Sequence, residues 1–395
     1  MYKSFTTLMA FGMAAAAPSR IMSRQDATHK LLIGTPAQIV TADFTGSAFT
    51  ITSKQYQKGT APSWLLYRNP NLVYAVNENA ADLTLFTLDG ASSNPTPGPS
   101  AQGTTGVVSL AFNAERTRIV GASYGTGTYD VWDIQADNSL KLFKNVALTG
   151  SELGPGQETH RAHQALLDPS GRYFVIPDLG GDALAVVDSE NNSYEVVNTV
   201  PVGTGSGPRH GGFISVDGGN QASHYVVATE LSNELVLFKL TYAEGNIQFE
   251  ETQRLSTYGA SFPPANATSA AAGELAIANS GHVYVSNRLS GNETDSIAHF
   301  VLEAGGNGGG SQLRFADTTS SGGLVPRMFS LSTDADQSLV FVANQDGDHG
   351  IAAFKRDPTT GSLDATPVAS LPVSDFLVSE NVGTPNSGPQ FIQEI

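Results

Sequence analysis

The chain of 395 residues carries a formal net charge of −16, is 40% hydrophobic and contains no cysteine. The apolar share supports a packed core rather than a disordered chain, and the charge disfavours nucleic acids and acidic membrane surfaces as partners. The absence of cysteine excludes disulfides, thiolate metal ligands and a cysteine nucleophile.

The beginning of the chain has the pattern of a secretory signal peptide. Lys3 precedes an apolar stretch that ends in the small-residue run Ala14–Ala17, which is the order of regions in such leaders. We therefore predict a signal peptide over residues 1–17, an N-terminal segment over 18–29 and one folded domain over 30–395. The stretch is too short to span a bilayer stably, so we expect a secreted protein that is not bound to a membrane.

Three Asn-x-Ser/Thr sequons accompany this leader, at Asn191, Asn266 and Asn292. Such sequons accept N-linked glycans on surface loops of secreted proteins. We predict glycosylation at all three.

A strand–turn–strand unit recurs along the rest of the chain. Its first strand is apolar and of the type Val-Tyr-Ala-Val, and a polar turn leads to a second apolar strand. The clear copies begin at Leu72, Tyr173, Tyr225, His282 and Leu339, and weaker copies begin near Leu31 and Arg118. Seven units spaced by roughly 40 to 57 residues, each with room for about four strands, predict an all-β, seven-bladed β-propeller.

Four segments of special composition are interpreted as structural. The Gly/Ser/Pro-rich segments Ser92–Gly106 and Gly305–Gly323 are predicted to be long surface loops. A lone Trp132-Asp133 pair does not indicate a WD40 array, in which most blades repeat it. Gly121–Gly125 matches the Gly-x-Ser-x-Gly nucleophile elbow, but another strand follows it instead of the helix that an elbow requires.

Oxygen donors collect at the ends of the predicted strands, so metal binding is an alternative. These residues are Asp178, Asp182, Asn287, Asn344, Gln345, Asp346 and Asp348. A hard cation such as calcium uses such ligands, although Asn and Asp are also ordinary turn formers. We predict neither a metal nor another cofactor, and a calcium-dependent gluconolactonase-type propeller stays as an alternative.

A cationic group with one acid is the stronger constellation. Glu230 and Arg288 follow strands of the same register in neighbouring units, and His163 and Arg209 both lead into the first strand of a unit. Equivalent strand ends gather around the axis of a propeller, so we expect these four residues to converge into one site. Two arginines suit a carboxylate, a phosphate or a developing oxyanion.

Several segments resemble the seven-bladed lactonase family, which includes bacterial-type 6-phosphogluconolactonase and fungal 3-carboxy-cis,cis-muconate cyclase. They are Ala162–Ala165, Asp168–Tyr173, Gly207–Phe213, Thr229–Glu234, Val285–Arg288, Pro326–Phe329 and Val342–Asp346. The resemblance implies that His163, Arg209, Glu230 and Arg288 are the active-site residues. We add His210 and Asn287 as residues that bind the substrate.

The resemblance implies hydrolysis of a sugar-acid lactone, as in 6-phosphogluconolactonase, with a small anionic or lactone substrate. Arg209 and Arg288 would bind the substrate oxygens, while Glu230 or His163 activates water and the other protonates the leaving ring oxygen. Cycloisomerisation of a dicarboxylate would need the same groups. A secreted, non-catalytic binding propeller is the third alternative, since the fold alone implies no activity.

Overall fold

A computed structural model describes residues 28–90, 93–215, 219–243, 245–259, 262–304 and 310–395. The predicted signal peptide lies outside these ranges. Within them, the strands form seven four-stranded antiparallel sheets, and no helix is long and apolar enough to cross a membrane. Among the described residues, Glu190–Asn192 and Val373–Phe376 form short 3-10 segments.

Each sheet is one blade, and its strands follow one another along the chain. Blades one to three contain, in chain order, β1 (His29–Thr35), β2 (Gln38–Phe44), β3 (Phe49–Tyr56), β4 (Leu65–Arg68), β5 (Leu72–Val76), β6 (Asp82–Leu88), β7 (Pro95–Gln102), β8 (Val107–Phe112), β9 (Arg118–Ser123), β10 (Thr128–Ile134) and β11 (Leu140–Ala147). Blades four and five contain β12 (Leu166–Leu167), β13 (Tyr173–Asp178), β14 (Ala183–Asp188), β15 (Glu195–Pro201), β16 (Pro208–Ile214), β17 (His224–Thr229), β18 (Glu234–Ala243) and β19 (Asn246–Ser256). Blades six and seven contain β20 (Ala271–Ile277), β21 (His282–Arg288), β22 (Ser296–Glu303), β23 (Gln312–Ser320), β24 (Leu324–Leu331), β25 (Leu339–Asp346), β26 (His349–Lys355) and β27 (Ala369–Pro372), and β28 (Phe391–Glu394) ends the chain.

The C-terminal strand closes the ring. β28 pairs antiparallel with β1, from Leu31 opposite Glu394 to Gly34 opposite Phe391, and so becomes the innermost strand of the first blade. Innermost strands of neighbouring blades contact one another near the axis, as β16 does with β20, β20 with β24 and β24 with β28. The predicted seven-bladed β-propeller is therefore confirmed, including the two faint units near Leu31 and Arg118.

The strands differ in burial from the inside of a blade to its outside. Every residue of β14 is buried, whereas exposed and half-buried positions alternate along most of the outer strand β3. Middle strands are covered by the adjacent blades on both faces and therefore read as continuous apolar runs, while outer strands have one solvated face. The core consequently lies between the blades in several apolar clusters.

The decrease in burial towards the outer strands explains why the prediction of two long surface loops was wrong. Ser92–Gly106 contains the outer strand β7, and Gly305–Gly323 contains the outer strand β23. β7 reads Pro-Thr-Pro-Gly-Pro-Ser-Ala-Gln. It tolerates its prolines because an outermost strand has an edge that needs no hydrogen-bond donors.

Irregularities of strand pairing near the axis orient four side chains that line the axial cavity. In β16, Pro208 pairs with Thr229 and His210 with Ala228, so Arg209 is an extra residue between them. Arg327 in β24 and Val108 in β8 are extra residues of the same kind, and β20 has an irregularity that includes Glu274. A bulge redirects a side chain that would otherwise alternate with its neighbours, and all four of these side chains line the axial cavity.

The three predicted glycosylation sites are exposed: Asn191 in a 3-10 segment, Asn266 in the connection before β20 and Asn292 in the turn after β21. Glycosylation at these positions stays a prediction.

Candidate active site

A narrow cavity opens at the axis where the innermost strands begin. The cavity itself has a volume of about 10 Å³, which is room for about one water molecule, so only a group of about that size reaches its floor. The residues that line it come from all seven blades and are Ser63, Trp64, Val108, His163, Arg209, His210, Glu274, Arg327, Met328 and Gln390. We call the face of the propeller on which this cavity opens the site face.

One carboxylate joins the two predicted arginines. Glu230 Oε2 lies 2.8 Å from Arg288 Nη2 and 2.9 Å from Arg209 Nε. Arg288 Nη2 also donates to the carbonyl of Ala272 at 2.9 Å. The ends of β17 and β21 and the bulge of β16 therefore bring three of the four predicted catalytic residues into direct contact.

The charges in this group are unequally compensated. Arg209 is almost fully buried, and its Nη1 has no hydrogen-bond partner. Burial, together with the neighbouring charge of Arg288, lowers the pKa of Arg209 to about 9, which leaves it protonated at neutral pH. Burial alone would raise the pKa of Glu230, but Arg288 and Arg209 outweigh it and hold that pKa below its ordinary value. Two cations thus share one ionised carboxylate, and a buried guanidinium donor is free to bind an anionic oxygen.

His163 belongs to a second chain of contacts, which we call the axial relay: His163, His210 and Glu274. His163 Nδ1 lies 3.1 Å from His210 Nε2, and His210 Nδ1 lies 2.9 Å from Glu274 Oε1. All three side chains are buried, and the His210 ring packs edge-on against Trp64 with the ring centres 5.7 Å apart. The relay therefore has a fixed geometry.

The relay determines which nitrogen of His163 is basic. Burial, reinforced by Arg209, holds the pKa of His163 well below its ordinary value, and burial also lowers the pKa of His210; both rings are neutral at pH 7. A Glu274 carboxylate can only accept, so His210 donates from Nδ1 and offers its Nε2 lone pair to His163. His163 must then donate from Nδ1, which leaves its Nε2 as an unprotonated base.

Asn287 takes a different position from the one predicted for it. Its side chain is fully buried, and its Nδ2 donates to the carbonyl of Thr257 at 3.1 Å. Asn287 precedes Arg288 in β21, and adjacent residues of a strand point to opposite sides, so the two cannot both face the site. Asn287 instead supports the connection between blades five and six.

Two of the oxygen donors predicted as alternative metal ligands, Asp178 and Asp182, have structural partners. Asp178 accepts from His160 and from the backbone amides of Arg161 and Gly181. Asp182 accepts from the amides of Gly205 and Gly207. Within the described ranges, no group of three or more His, Cys, Asp or Glu residues is placed to hold a metal ion.

Glu274, Arg327 and Glu78 were missed in the sequence. Glu274 completes the axial relay, and Arg327 lines the cavity and pairs with Glu78 at 2.7 Å. Repeat equivalence could have found all three. Pro326-Arg327 repeats Pro208-Arg209 at the same bulge, Glu78 follows β5 as Glu230 follows β17, and Glu274 lies in the first strand of its blade.

Comparison with known proteins agrees with this architecture. Residues 29–374 match the family model described as "Lactonase, 7-bladed beta-propeller". The chain belongs to this lactonase family. The matched range contains every residue of the axial relay and of the arginine pair.

Proteins of similar sequence occur in Arthroderma benhamiae and in Lactococcus lactis. A "Probable 6-phosphogluconolactonase" of Arthroderma benhamiae is 27% identical over 82% of this chain and 80% of its own length. An uncharacterized protein of Lactococcus lactis subsp. cremoris is 30% identical over 73% of this chain and 78% of its own.

Among solved structures, the Pseudomonas aeruginosa periplasmic gluconolactonase PpgL has a TM-score of 0.75 at 23% identity, covering 93% of this chain and 99% of that one. A putative 6-phosphogluconolactonase of Bacteroides uniformis has a TM-score of 0.74 at 22% identity, covering 94% and 100%. At these identities the two structures support the fold alone.

Proposed function

We propose that this member of the lactonase family hydrolyses a sugar-acid lactone to the open-chain acid at the axial cavity. The observation that carries the proposal is the position of a buried arginine with a free Nη1 in the same cavity as a neutral histidine whose Nε2 is basic. Ester hydrolysis needs these two functions, an oxyanion stabiliser and a proton carrier.

Arg209 and Arg288 would stabilise the carbonyl oxygen as it becomes negative. A buried guanidinium is worth more here than in water, because the surroundings do not screen its charge. Glu230 keeps both arginines charged and oriented. Since its pKa is lowered, it is ionised at neutral pH and has no proton to give to the leaving group.

His163 would then carry the proton in both steps. Water forms a bond to the carbonyl carbon while its proton passes to His163 Nε2. As the tetrahedral intermediate collapses, the bond between that carbon and the ring oxygen breaks, and the imidazolium returns the proton to the ring oxygen. His210 and Glu274 support the positive charge that His163 carries between the two steps. Of the two roles that the sequence left open for Glu230 and His163, this assigns both proton transfers to His163.

The name of a similar protein supports the substrate class. The Arthroderma benhamiae relative is called a probable 6-phosphogluconolactonase. We extend sugar-acid lactones to this chain on that basis. Secretion, which the first 17 residues predict, stays a prediction and would place the activity outside the cell.

A lactone panel tests the proposal. The purified protein is given D-glucono-1,5-lactone, its 6-phosphate and 3-carboxy-cis,cis-muconate, each with and without a chelator, and acid release or ring closure is followed above the spontaneous rate. We expect hydrolysis of at least one lactone, unchanged by the chelator. A Glu230→Gln preparation purified in the same way controls for contaminating hydrolases, and we expect it to lose about tenfold or more in kcat/KM, because the arginines lose their shared carboxylate.

Three outcomes would contradict the proposal. Ring closure of the muconate without lactone hydrolysis would identify a cycloisomerase. Loss of activity in chelator would indicate the calcium-dependent type of propeller. No turnover of any compound would favour a binding propeller.

A further inference from the structure

Two bulky residues beside the axial arginines have a left-handed backbone conformation. Leu289 directly follows Arg288 and has a φ of 55°, and Val325 lies two positions before Arg327 and has a φ of 54°. This region is unfavourable for any residue with a Cβ, and a β-branched valine there is an outlier. Such conformations persist only where the surroundings enforce them, and they concentrate at functional sites.

One buried carboxylate holds both residues. Asp295 is 1% exposed, and its Oδ2 accepts from the backbone amide of Leu289 at 3.0 Å and from that of Val325 at 2.8 Å. Its Oδ1 accepts from the amide and from the hydroxyl group of Ser290, at 2.9 and 2.6 Å. Hydrogen bonds to a carboxylate are stronger than those between neutral groups, so this side chain offsets the strain of the two left-handed residues.

The two strained residues determine where the arginine side chains start. Arg288 is the last residue of β21 before Leu289, and it pairs with Glu230. Val325 lies at the beginning of β24, where the bulge turns Arg327 towards the axial cavity. Leu289 belongs to blade six and Val325 to blade seven, so the carboxylate also joins the two backbones. Misplacing a group in an active site by about 1 Å costs about 100-fold in rate.

The left-handed turn before a bulge does not by itself need a carboxylate. Val108 is the extra residue of β8, and two positions before it Gly106 has a φ of 82°. The amide of Gly106 donates to the carbonyl of Ala80 at 3.2 Å. A backbone acceptor is therefore sufficient where the extra residue is apolar.

The bulge that carries Arg209 has the same contact to a carboxylate, but on a glycine. Gly207 lies two positions before Arg209, has a φ of 61°, and its amide donates to Asp182 Oδ1 at 2.7 Å. Glycine adopts this conformation without strain. Both bulges with an arginine thus have a buried carboxylate, but only at Val325 does the carboxylate hold a residue that would otherwise leave the left-handed region.

We propose that Asp295 is a positioning residue of the axial site. By holding both left-handed residues, its carboxylate directs Arg288 and Arg327 to the axis and acts on the substrate only through them. The inference rests on the proposed lactone hydrolysis for its kinetic consequence, but not for the backbone geometry.

Three carboxylate variants test this role with D-glucono-1,5-lactone. Asp295→Asn keeps the shape of the side chain but loses an acceptor, and we expect kcat to fall about 30-fold while KM changes less than about threefold, because misplaced arginines stabilise the transition state less well. Asp182→Asn, which acts on a glycine, should lose at most about threefold. Asp130 is the matched control, since it is fully buried and accepts from the amide of Thr104 at 2.6 Å in the connection before β8. Asp130→Asn should lower the melting temperature but leave kcat within about twofold.

A second substitution at Val325 distinguishes positioning from a general loss of stability. Because glycine is left-handed without support, adding Val325→Gly to Asp295→Asn should raise kcat at least about fivefold over Asp295→Asn alone. The recovery is partial because Leu289 stays strained. If Asp295→Asn does not fold, Ser290→Ala, which removes one hydrogen bond to the carboxylate, replaces it and should lower kcat about threefold. Wild-type kcat in the variant measured, or an equal loss of kcat in Asp130→Asn, would overturn the inference.

Chemical modification separates this inference from the proposed function. Phenylglyoxal reacts with accessible guanidinium groups, and mass spectrometry of the digested protein gives the rate at each arginine. We expect Arg288 and Arg327 to react about fivefold faster in Asp295→Asn than in the wild type and in Asp130→Asn, while the exposed Arg314 reacts equally in all three. If this difference is found and no lactone is hydrolysed, the positioning role stands and the hydrolase fails. If lactones are hydrolysed but Asp295→Asn changes neither kcat nor the modification rates, the hydrolase stands and the positioning role fails.

Discussion

The molecule contains two networks with the same kinds of group, two histidines and a carboxylate. The axial relay joins His163, His210 and Glu274. The second network, which we call the blade-six network, joins three adjacent strands: His282 Nδ1 lies 2.8 Å from His299 Nε2, and His299 Nδ1 lies 3.4 Å from Asp317 Oδ1.

Their surroundings are different. In the blade-six network, the ring of Tyr284 stacks on His299 with a centroid distance of 4.9 Å and an interplanar angle of 14°. Ser362 donates to Asp317 at 2.7 Å, and Gly361 lies so close to the His282 ring that a Cβ there would clash with it. Protein groups thus cover this network, whereas the axial relay ends at the cavity beside Arg209. A buried histidine pair does not identify a catalytic site by itself. We place the site at the axial relay because it borders a cavity and lies beside the charged Arg209.

The largest expected contrast comes from replacing one histidine in each network. His163→Asn should lower kcat for lactone hydrolysis by about 10²- to 10⁴-fold, because the reaction loses its proton carrier. His282→Asn should leave kcat/KM within about twofold and lower the melting temperature instead, since it leaves His299 without its partner. Steady-state kinetics and thermal unfolding of both variants measure these effects. Equal losses of kcat in the two variants would contradict the assignment of catalysis to the axial relay alone.

Replacing the carboxylates should give a smaller contrast. Glu274→Gln should lower kcat about tenfold, because His163 loses the negative charge that supports its protonated form through His210. For the same reason the acidic limb of the kcat/KM profile should move to lower pH, which a purely structural change would not cause. Asp317→Asn should leave the profile unchanged, and a shift of the same size in both variants would count against the relay.

Histidines of both networks should make the free energy of unfolding depend on pH in the same direction. Burial lowers the pKa values of His163, His210, His224 and His282. Below about pH 6.5 these histidines gain protons in the unfolded chain while they stay neutral in the folded one, so the free energy of unfolding should fall as the pH falls. Each contributes at most about 1.4 kcal/mol per pH unit. Urea unfolding between pH 7.5 and 5.5 should show this slope in the wild type and a shallower one in both His163→Asn and His282→Asn; a free energy of unfolding that rises on acidification would contradict it.

The sequence predicted the propeller because each blade repeats one apolar middle strand, and it predicted the arginine site because Glu230 and Arg288 occupy equivalent ends of such strands. The outer strands β7 and β23 were predicted as loops because a solvated edge strand does not need an apolar, proline-free sequence. Glu274 and Arg327 were missed because their orientation depends on β-bulges, although Pro326-Arg327 in β24 repeats the Pro208-Arg209 pair of β16. Asn287 was assigned to the site although strand alternation turns it away from Arg288.

The central claim is that the arginine pair at the axis performs lactone hydrolysis, and one kinetic comparison tests it most directly. The kcat/KM for D-glucono-1,5-lactone is measured for the wild type, for Arg288→Ala and for Arg314→Ala, which removes an exposed arginine from the outer strand of the same blade. We predict a loss of about 10²-fold or more in Arg288→Ala, the size expected for an oxyanion stabiliser, and wild-type activity in Arg314→Ala. A folded Arg288→Ala protein that hydrolyses the lactone as fast as the wild type would contradict the claim.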